Sequence, residues 1–267
     1  MSTSDSAGPP ILLAVEEGVA HLRFNRPKLL NAIDEPTILA FKAAVDTLAA
    51  DARVRVVVLS GEGRAFLAGG DVGRFHSAGG DAPYVVADII DPFHEAMLKL
   101  AALPAPVIAS VHGAVAGAGM SVALAADLAI AADDAKFTMA YTRIGTTPDG
   151  SGTFSLPRIV GLRKAMELAL LSDVLDAAEA LQLGLVNKVV PAADLAAETK
   201  ALALRLARGP TEAYGRIKHL LRASHGHTLS EQLHAEREAF IASAGTADFV
   251  EGVAAFVAKR PPRFHGR

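Results

Sequence analysis

Hydrophobic positions along the chain follow two periods. Residues 11–24 read ILLAVE, a Glu-Gly pair, then VAHLRF, which predicts a β-hairpin. Asn25-Arg26-Pro27 then breaks the strand. Asp34 is placed to cap a helix that carries Pro36 in its first turn. Ile38, Phe41, Val45 and Leu48 recur at helical spacing, so 35–50 is expected to be an amphipathic helix. Val54–Leu59 is a near-continuous β-branched run, as in a strand covered on both faces. Gly61–Asp71 follows as a loop, and a helical stretch near 84–102 stops before Leu103-Pro104-Ala105-Pro106. Val107–Val111 reads as a second buried strand and Gly113–Gly119 as a tight backbone passage. Met120–Ala126 reads as a small-residue helix that runs on to Asp127 or beyond.

Strand, glycine-rich loop and helix therefore occur twice, over 54–80 and 107–132. Beyond residue 160 the pattern is mostly helical, at 161–171, 176–183, 192–208, 211–223, 228–243 and 246–258. A short strand, Leu185–Val190, interrupts it. Alternating strands and helices argue for an α/β architecture followed by a helical C-terminal section, with the change near 191–200. The polar start, MSTSDSAGPP, lacks the basic head and apolar segment of a signal peptide and reads as a disordered tail over 1–10.

Composition narrows the function classes. The chain has 267 residues, enough for one large domain that needs no covalent staple. It has no cysteine, which excludes disulfides, thiolate metal sites and a cysteine nucleophile and fits a reducing, cytoplasmic setting. Lys and Arg number 26 against 29 Asp and Glu, a net charge of −3, so no nucleic-acid partner is expected. Aromatic residues are 5% with no Trp, which also argues against a base-stacking platform. Val107–Ala126 lacks acidic and Lys/Arg side chains, but seven of its twenty residues are Ala and three are Gly. A membrane span carries more Leu and Ile and has aromatic anchors, so no membrane partner is expected.

The chemistry lies in the two glycine-rich loops. A backbone approaches a ligand closely where side chains are absent, and a helix start offers unpaired N–H groups. Two such loops can aim two amides at one oxygen, an oxyanion hole. On glycine content alone, close helix–sheet packing explains the same residues.

The residues of these loops resemble those of the crotonase (enoyl-CoA hydratase/isomerase) superfamily. Ala65-Phe66-Leu67-Ala68-Gly69-Gly70-Asp71 is similar to its first loop and His112–Gly119 to its second. Asn25-Arg26-Pro27 with Asn31-Ala32 resembles its N-terminal motif. Glu251-Gly252…Phe256…Lys259-Arg260 resembles its C-terminal ending. The resemblance runs over about 11–264, with the motifs in the family's order and spacing. It implies a spiral of ββα units over 11–195 and a helical trimerisation region over 196–267. It implies a homotrimer or a dimer of trimers. It implies an acyl-CoA thioester substrate with no separate cofactor and no metal, coenzyme A being part of the substrate. By position, the resemblance makes the amides of Ala68 and Ala118 the oxyanion donors. Gly69, Gly70, Asp71 and Gly117 of the same loops are then candidates for substrate binding. Arg26, Lys28 and the backbone near Leu30 are candidates for the nucleotide or pantetheine end. Phe256 and Lys259 can reach it from a neighbouring subunit, although a solvated basic tail accounts for Lys259 equally well.

Members of the superfamily differ in the acid–base groups set over the shared hole. Hydratases use two glutamates, and those places fall on Ser121 and Tyr141 here, neither a proton acceptor near neutral pH. Asp149 remains. Its surroundings, Met139-Ala140-Tyr141…Gly145…Pro148-Asp149-Gly150, are similar to those of ring-1,2-epoxyphenylacetyl-CoA isomerases, and Leu156-Pro157-Arg158 with Gly161 continues the likeness. Pro-Asp-Gly is also an ordinary turn signal. The resemblance favours an isomerase in which Asp149 moves a proton along an enolate-like thioester. The substrate class is then ring-1,2-epoxyphenylacetyl-CoA or a Δ3-enoyl-CoA. Ser151, Thr146-Thr147 and Leu67 depart from the family's usual residues, the first two where the acyl pocket is expected.

Other readings compete. A hydratase of unusual mechanism is one alternative and a non-enzymatic scaffold another. A serine hydrolase using Ser121 is a third, since Gly119-Met120-Ser121-Val122-Ala123 is similar to a nucleophile elbow, but some eight residues separate strand from serine where an elbow needs a tight turn. Gly117-x-Gly119 suggests a dinucleotide loop, yet Val122 holds its third glycine position. His219, His225, His227 and His234 match no common metal spacing. His112 reads as a loop brace, and no role is assigned to His76.

Overall fold

The computed structural model describes residues 8–267, so most of the tail expected over 1–10 lies outside the described residues. Its end is fixed rather than disordered. The Asn25 side-chain amide donates to Pro9 O at 2.9 Å, and the Asn25 backbone N–H donates to Pro10 O at 2.8 Å.

β1 (Ile11–Glu16) and β2 (Val19–Phe24) form the expected hairpin. Glu17 and Gly18, both at positive φ, make a turn that matches the strand twist. α1 (Glu35–Ala50) starts where Asp34 accepts the Thr37 N–H at 3.0 Å, a cap worth about 1 kcal/mol. Its buried stripe includes Ile38, Phe41, Val45 and Leu48.

Three strand–strand–helix turns follow. The first is β3 (Val56–Gly61), β4 (Ala65–Leu67), then α2 (Val72–Ala78) and α3 (Ala82–Ala102). The second is β5 (Val107–Val111), β6 (Ala114–Ala116) and α4 (Ala118–Ala125). The third is β7 (Leu128–Ala132), β8 (Lys136–Thr138) and α5 (Gly152–Leu171), with non-helical backbone at Gly161. The small-residue helix stops at Ala125, not beyond Asp127. Leu128–Ala132 is a strand because it pairs in parallel with β5, which outweighs its alanine content. β9 (Leu175–Asp176), α6 (Ala177–Gln182) and β10 (Lys188–Val190) complete the spiral.

Each turn gives its first strand to one sheet and its second to another. The larger sheet runs β1-β2-β3-β5-β7-β10 and the smaller β4-β6-β8-β9. Aromatic contacts tie the small sheet to the core. Phe24 stacks on Phe41 at 5.4 Å between ring centres and meets Phe66 of β4 edge-on at 6.1 Å. Phe93 of α3 adjoins Phe41 at 6.5 Å.

α7 (Leu195–Ala207) covers the other face of the large sheet, where Ala203 and Ala207 pack on Val19, Val56, Val58 and Ile108. The boundary expected between 195 and 196 therefore cuts through core packing. A sheet apolar on both faces needs this helix. α8 (Thr211–Ala223), α9 (Leu229–Ala244) and α10 (Ala247–Val257) follow. α8 is pinned to the core by Lys218. Its ammonium donates to Leu103 O at 2.9 Å and Ala105 O at 2.8 Å and pairs with Asp127 at 2.8 Å. No residue of α9 is buried. Among the described residues no single helix is long and apolar enough to cross a membrane.

Candidate active site

Strand pairing brings three chain segments to one edge of the small sheet. β4 and β6 are parallel, with Leu67 beside Val115, so the chain leaves both strands at the same edge. β8 is parallel to β6, with Thr138 beside Ala116, so Met139–Tyr141 leaves there too. The two glycine loops touch. A β-carbon at Gly117 would stand 3.5 Å from Gly69 Cα, and one at Gly69 would stand 3.3 Å from Ala116 O and 3.7 Å from Ala118 N. Both residues also have positive φ, 101° and 54°, which favours glycine at each, and at Gly69 the close Ala116 carbonyl adds to that.

The first loop is held by a polar network. Asn31, fully buried at φ 61°, donates its side-chain amide to Glu62 O, Ala65 O and Phe66 O at 3.0, 2.8 and 3.1 Å. Its Oδ1 accepts the Arg26 N–H at 2.8 Å. The Arg26 guanidinium donates to Ala32 O and pairs with Asp34 at 2.8 Å and Asp71 at 3.5 Å. Asp71 also caps α2 by accepting the Arg74 N–H at 3.3 Å. Arg26 and Asp71, read as substrate-binding candidates, thus brace the loop from inside. In sequence Asn31 is one residue of the N-terminal motif, with no role of its own. Its signal was the Asn type itself, which tolerates left-handed backbone and satisfies several buried groups at once.

The Ala68 amide is not available as an oxyanion donor. It donates to Leu30 O at 3.1 Å. Two residues on, the main-chain bonding of Gly70 is different. Gly70 bridges Ile33 in parallel fashion. The Ile33 N–H donates to Gly69 O and the Asp71 N–H to Ile33 O, both at 2.8 Å. Extended backbone then turns the Gly70 N–H to the opposite side, and among the described residues it has no partner. One-letter order does not reveal which way a peptide plane faces, so residue type alone cannot show that the Ala68 amide is taken.

Ala118 opens α4, so its amide belongs to the first turn and lacks an intrahelical acceptor. The helix is buried from Ala118 to Leu124. A β-carbon at Gly119 would lie 2.0 Å from Leu67 O, so α4 is pressed directly onto β4.

Ser121, one turn along α4, begins a hydrogen-bonded series. Its Oγ lies 3.1 Å from the Tyr141 hydroxyl, which donates to Asp149 Oδ1. Burial raises the Tyr141 pKa above its ordinary value, and the Asp149 charge adds to this, so the phenol stays neutral. Among the described residues Asp149 Oδ2 makes no hydrogen bond. The turn after Asp149 is held from both sides. The Gly152 N–H donates to Asp149 O at 2.9 Å, and the Gly150 N–H to His94 Nε2 at 3.1 Å. The structure thus brings together Ser121, Tyr141 and Asp149, one turn of helix from Ala118.

The remaining candidates are dispersed. Lys28 is exposed on the short 3-10 turn Pro27–Leu29. The Leu30 carbonyl already serves Ala68. Phe256 is 86% exposed on α10, and Lys259 follows that helix at φ 52°. Ser121 meets a phenol rather than an imidazole, so the arrangement is not that of a serine hydrolase. His112 braces the loop through Nε2 and Gly63 O at 2.9 Å.

Fold and edge define an α/β spiral in which two glycine loops meet, with the Asp149 carboxylate tied through Tyr141 to Ser121 of α4. A family model described as enoyl-CoA hydratase/isomerase matches residues 14–267. The chain belongs to this family, within the crotonase superfamily. It is 40% identical over 253 residues to a "probable enoyl-CoA hydratase" of Rhodobacter capsulatus, covering 95% of this chain and 96% of the relative. It is 39% identical over 258 residues to the 1,2-epoxyphenylacetyl-CoA isomerase of Escherichia coli, covering 96% and 98%. The crystal structure of an enoyl-CoA hydratase from Polaromonas sp. JS666 matches with a TM-score of 0.91 and 36% identity, over 96% of this chain and 99% of that one.

Proposed function

We propose that the protein is an acyl-CoA isomerase. The Gly70 and Ala118 amides hold the thioester oxygen, and Asp149 Oδ2 moves a proton between carbons of the acyl group. The carrying observation is the series Ser121–Tyr141–Asp149. It sets hydroxyls at the two places that a hydratase fills with carboxylates, and it leaves one oxygen of Asp149 free. The amides stabilise the enolate that forms when the C–H bond breaks. One carboxylate takes the proton and returns it at another carbon. Substrates that fit this chemistry are Δ3-enoyl-CoA thioesters and ring-1,2-epoxyphenylacetyl-CoA.

The test is Asp149→Asn assayed with 3-hexenoyl-CoA, following 2-hexenoyl-CoA by chromatography. Turnover falls roughly 10²–10⁴-fold while the ligand's Kd by calorimetry stays close to wild type. Near-wild-type turnover in the variant refutes the role of Asp149. The hydratase name of a relative keeps a second reading in view. It gains if wild-type protein hydrates 2-hexenoyl-CoA faster than it isomerises the 3-enoyl thioester.

The homotrimer reading is supported by apolar side chains left uncovered on the last helices. Leu229, Leu233, Phe240 and Phe256 are 76, 56, 69 and 86% exposed. In such an assembly Phe256 and Lys259 would approach a neighbour's coenzyme A. Sedimentation at equilibrium decides, and a monomer across the micromolar range refutes it.

A further inference from the structure

We infer that Ser121 and Tyr141 form a one-way hydrogen-bond relay that fixes Oδ1 of Asp149 and confines the migrating proton to Oδ2. The inference rests on the isomerase reading above. Its direction follows from what each group can donate. An ionised carboxylate only accepts, so the Tyr141 hydroxyl spends its single proton on Oδ1. The phenol oxygen then accepts, and Ser121 is the donor across 3.1 Å. Burial reinforces this order. Ser121 has no exposed surface and Tyr141 is 9% exposed. Gly152 makes room for the serine, since a β-carbon there would stand 2.7 Å from Ser121 Oγ.

The consequence is chemical. In the first step a substrate C–H bond breaks, its proton binds Oδ2, and its electron pair enters the enolate. In the second step the enolate forms a new C–H bond with that proton, and Asp149 is again a carboxylate. Nothing else is consumed. Rotating the carboxyl group to present Oδ1 would break the bond from Tyr141, so the proton stays on the oxygen that received it. Return to substrate then competes well with exchange into water. Tyr141 and Ser121 are positioning residues in this scheme, acting through Asp149.

The experiment runs 3-hexenoyl-CoA isomerisation in D2O and reads deuterium in the product by mass spectrometry, alongside kcat and KM. Wild type retains most of the substrate's own hydrogen. Tyr141→Phe lowers kcat by roughly 10-fold, as expected for a lost hydrogen bond to a charged group, with KM within about 3-fold and at least twice the deuterium per turnover. Ser121→Ala moves both readouts the same way by a smaller factor, and it carries the test if circular dichroism shows Tyr141→Phe unfolded. Wild-type kcat and deuterium content in the folded variants overturn the relay, as does a loss confined to KM. Asp149→Asn separates the two claims. If it stays active, the isomerase reading fails. If it is inactive while Tyr141→Phe and Ser121→Ala match wild type, the relay alone fails.

Discussion

Around Gly69-Gly70 the backbone is set by hydrogen bonds, main-chain ones to Ile33 and side-chain ones from Asn31 and Arg26 that hold the flanking segments. Around Gly117-Ala118 it is set by packing, with α4 enclosed and Gly119 against Leu67 O. The two loops meet at one place yet depend on different physics. Hydrogen bonds fix the orientation of a peptide plane, while close packing fixes how near two backbones approach. A site that needs two amides at one oxygen needs both kinds of control.

Of the two loops, the packed one has the larger expected effect when its donor is removed. Proline is tolerated at the first position of a helix because no intrahelical acceptor is lost there. Ala118→Pro therefore keeps α4 and deletes one amide. Its kcat is expected to fall roughly 10²–10³-fold, with the circular dichroism spectrum of the wild type. A folded Ala118→Pro with unimpaired turnover would show that the packed loop positions something other than a donor.

The polar loop is broken through Asn31. Asn31→Ala leaves the Arg26 amide and three carbonyls without their partner and places alanine in left-handed backbone. A loss of about 3 kcal/mol follows, equivalent to a fall of roughly 6–12 °C in Tm. Activity at a temperature where the variant is folded also drops, since Gly70 loses its reference. If thermal unfolding is unchanged, the network is not what holds this loop.

The same contrast explains what could be read from the sequence. The hairpin, the Asp34 cap and the α1 stripe were legible because period and capping are local. The packed loop was legible too, because Gly117 and Gly119 announce close approach. β4, β6 and β8 have three residues each, too few to show a period, and the sequence of the first two is indistinguishable from loop. β7 was absorbed into a helix because LAIAA carries no alternation. The exchange of Ala68 for Gly70 has the same origin. The donor is chosen by the Ile33 bridge, a contact across 37 positions of chain, and residue type cannot report it. Asp149 was found by resemblance, whereas its bond to Tyr141 required the three exits to share an edge.

The smallest expected effect concerns a polar clamp at the end of the chain, and it sharpens the contrast. Glu251 accepts two bonds from the Arg260 guanidinium at 2.7 and 2.8 Å, and the Arg263 N–H at 2.8 Å. The Arg260 side chain, then the Arg263 amide, hold its pKa at about 2, below the ordinary 4.5. A depressed carboxylate pKa means that its contribution is complete above about pH 4.5 and is lost as pH falls from there toward 2. Being exposed and screened, the pair has little influence on global stability. Hydrogen exchange at the Arg263 amide is the suitable readout, corrected for the intrinsic acid dependence of exchange. Protection in wild type should decline over that window, and Glu251→Gln should abolish the pH-dependent part while Tm at neutral pH moves by no more than a degree or two. If the variant shows the same decline as wild type, the titrating group is not Glu251. A large fall in Tm would mean instead that this terminal clamp bears on the core as the Asn31 network does.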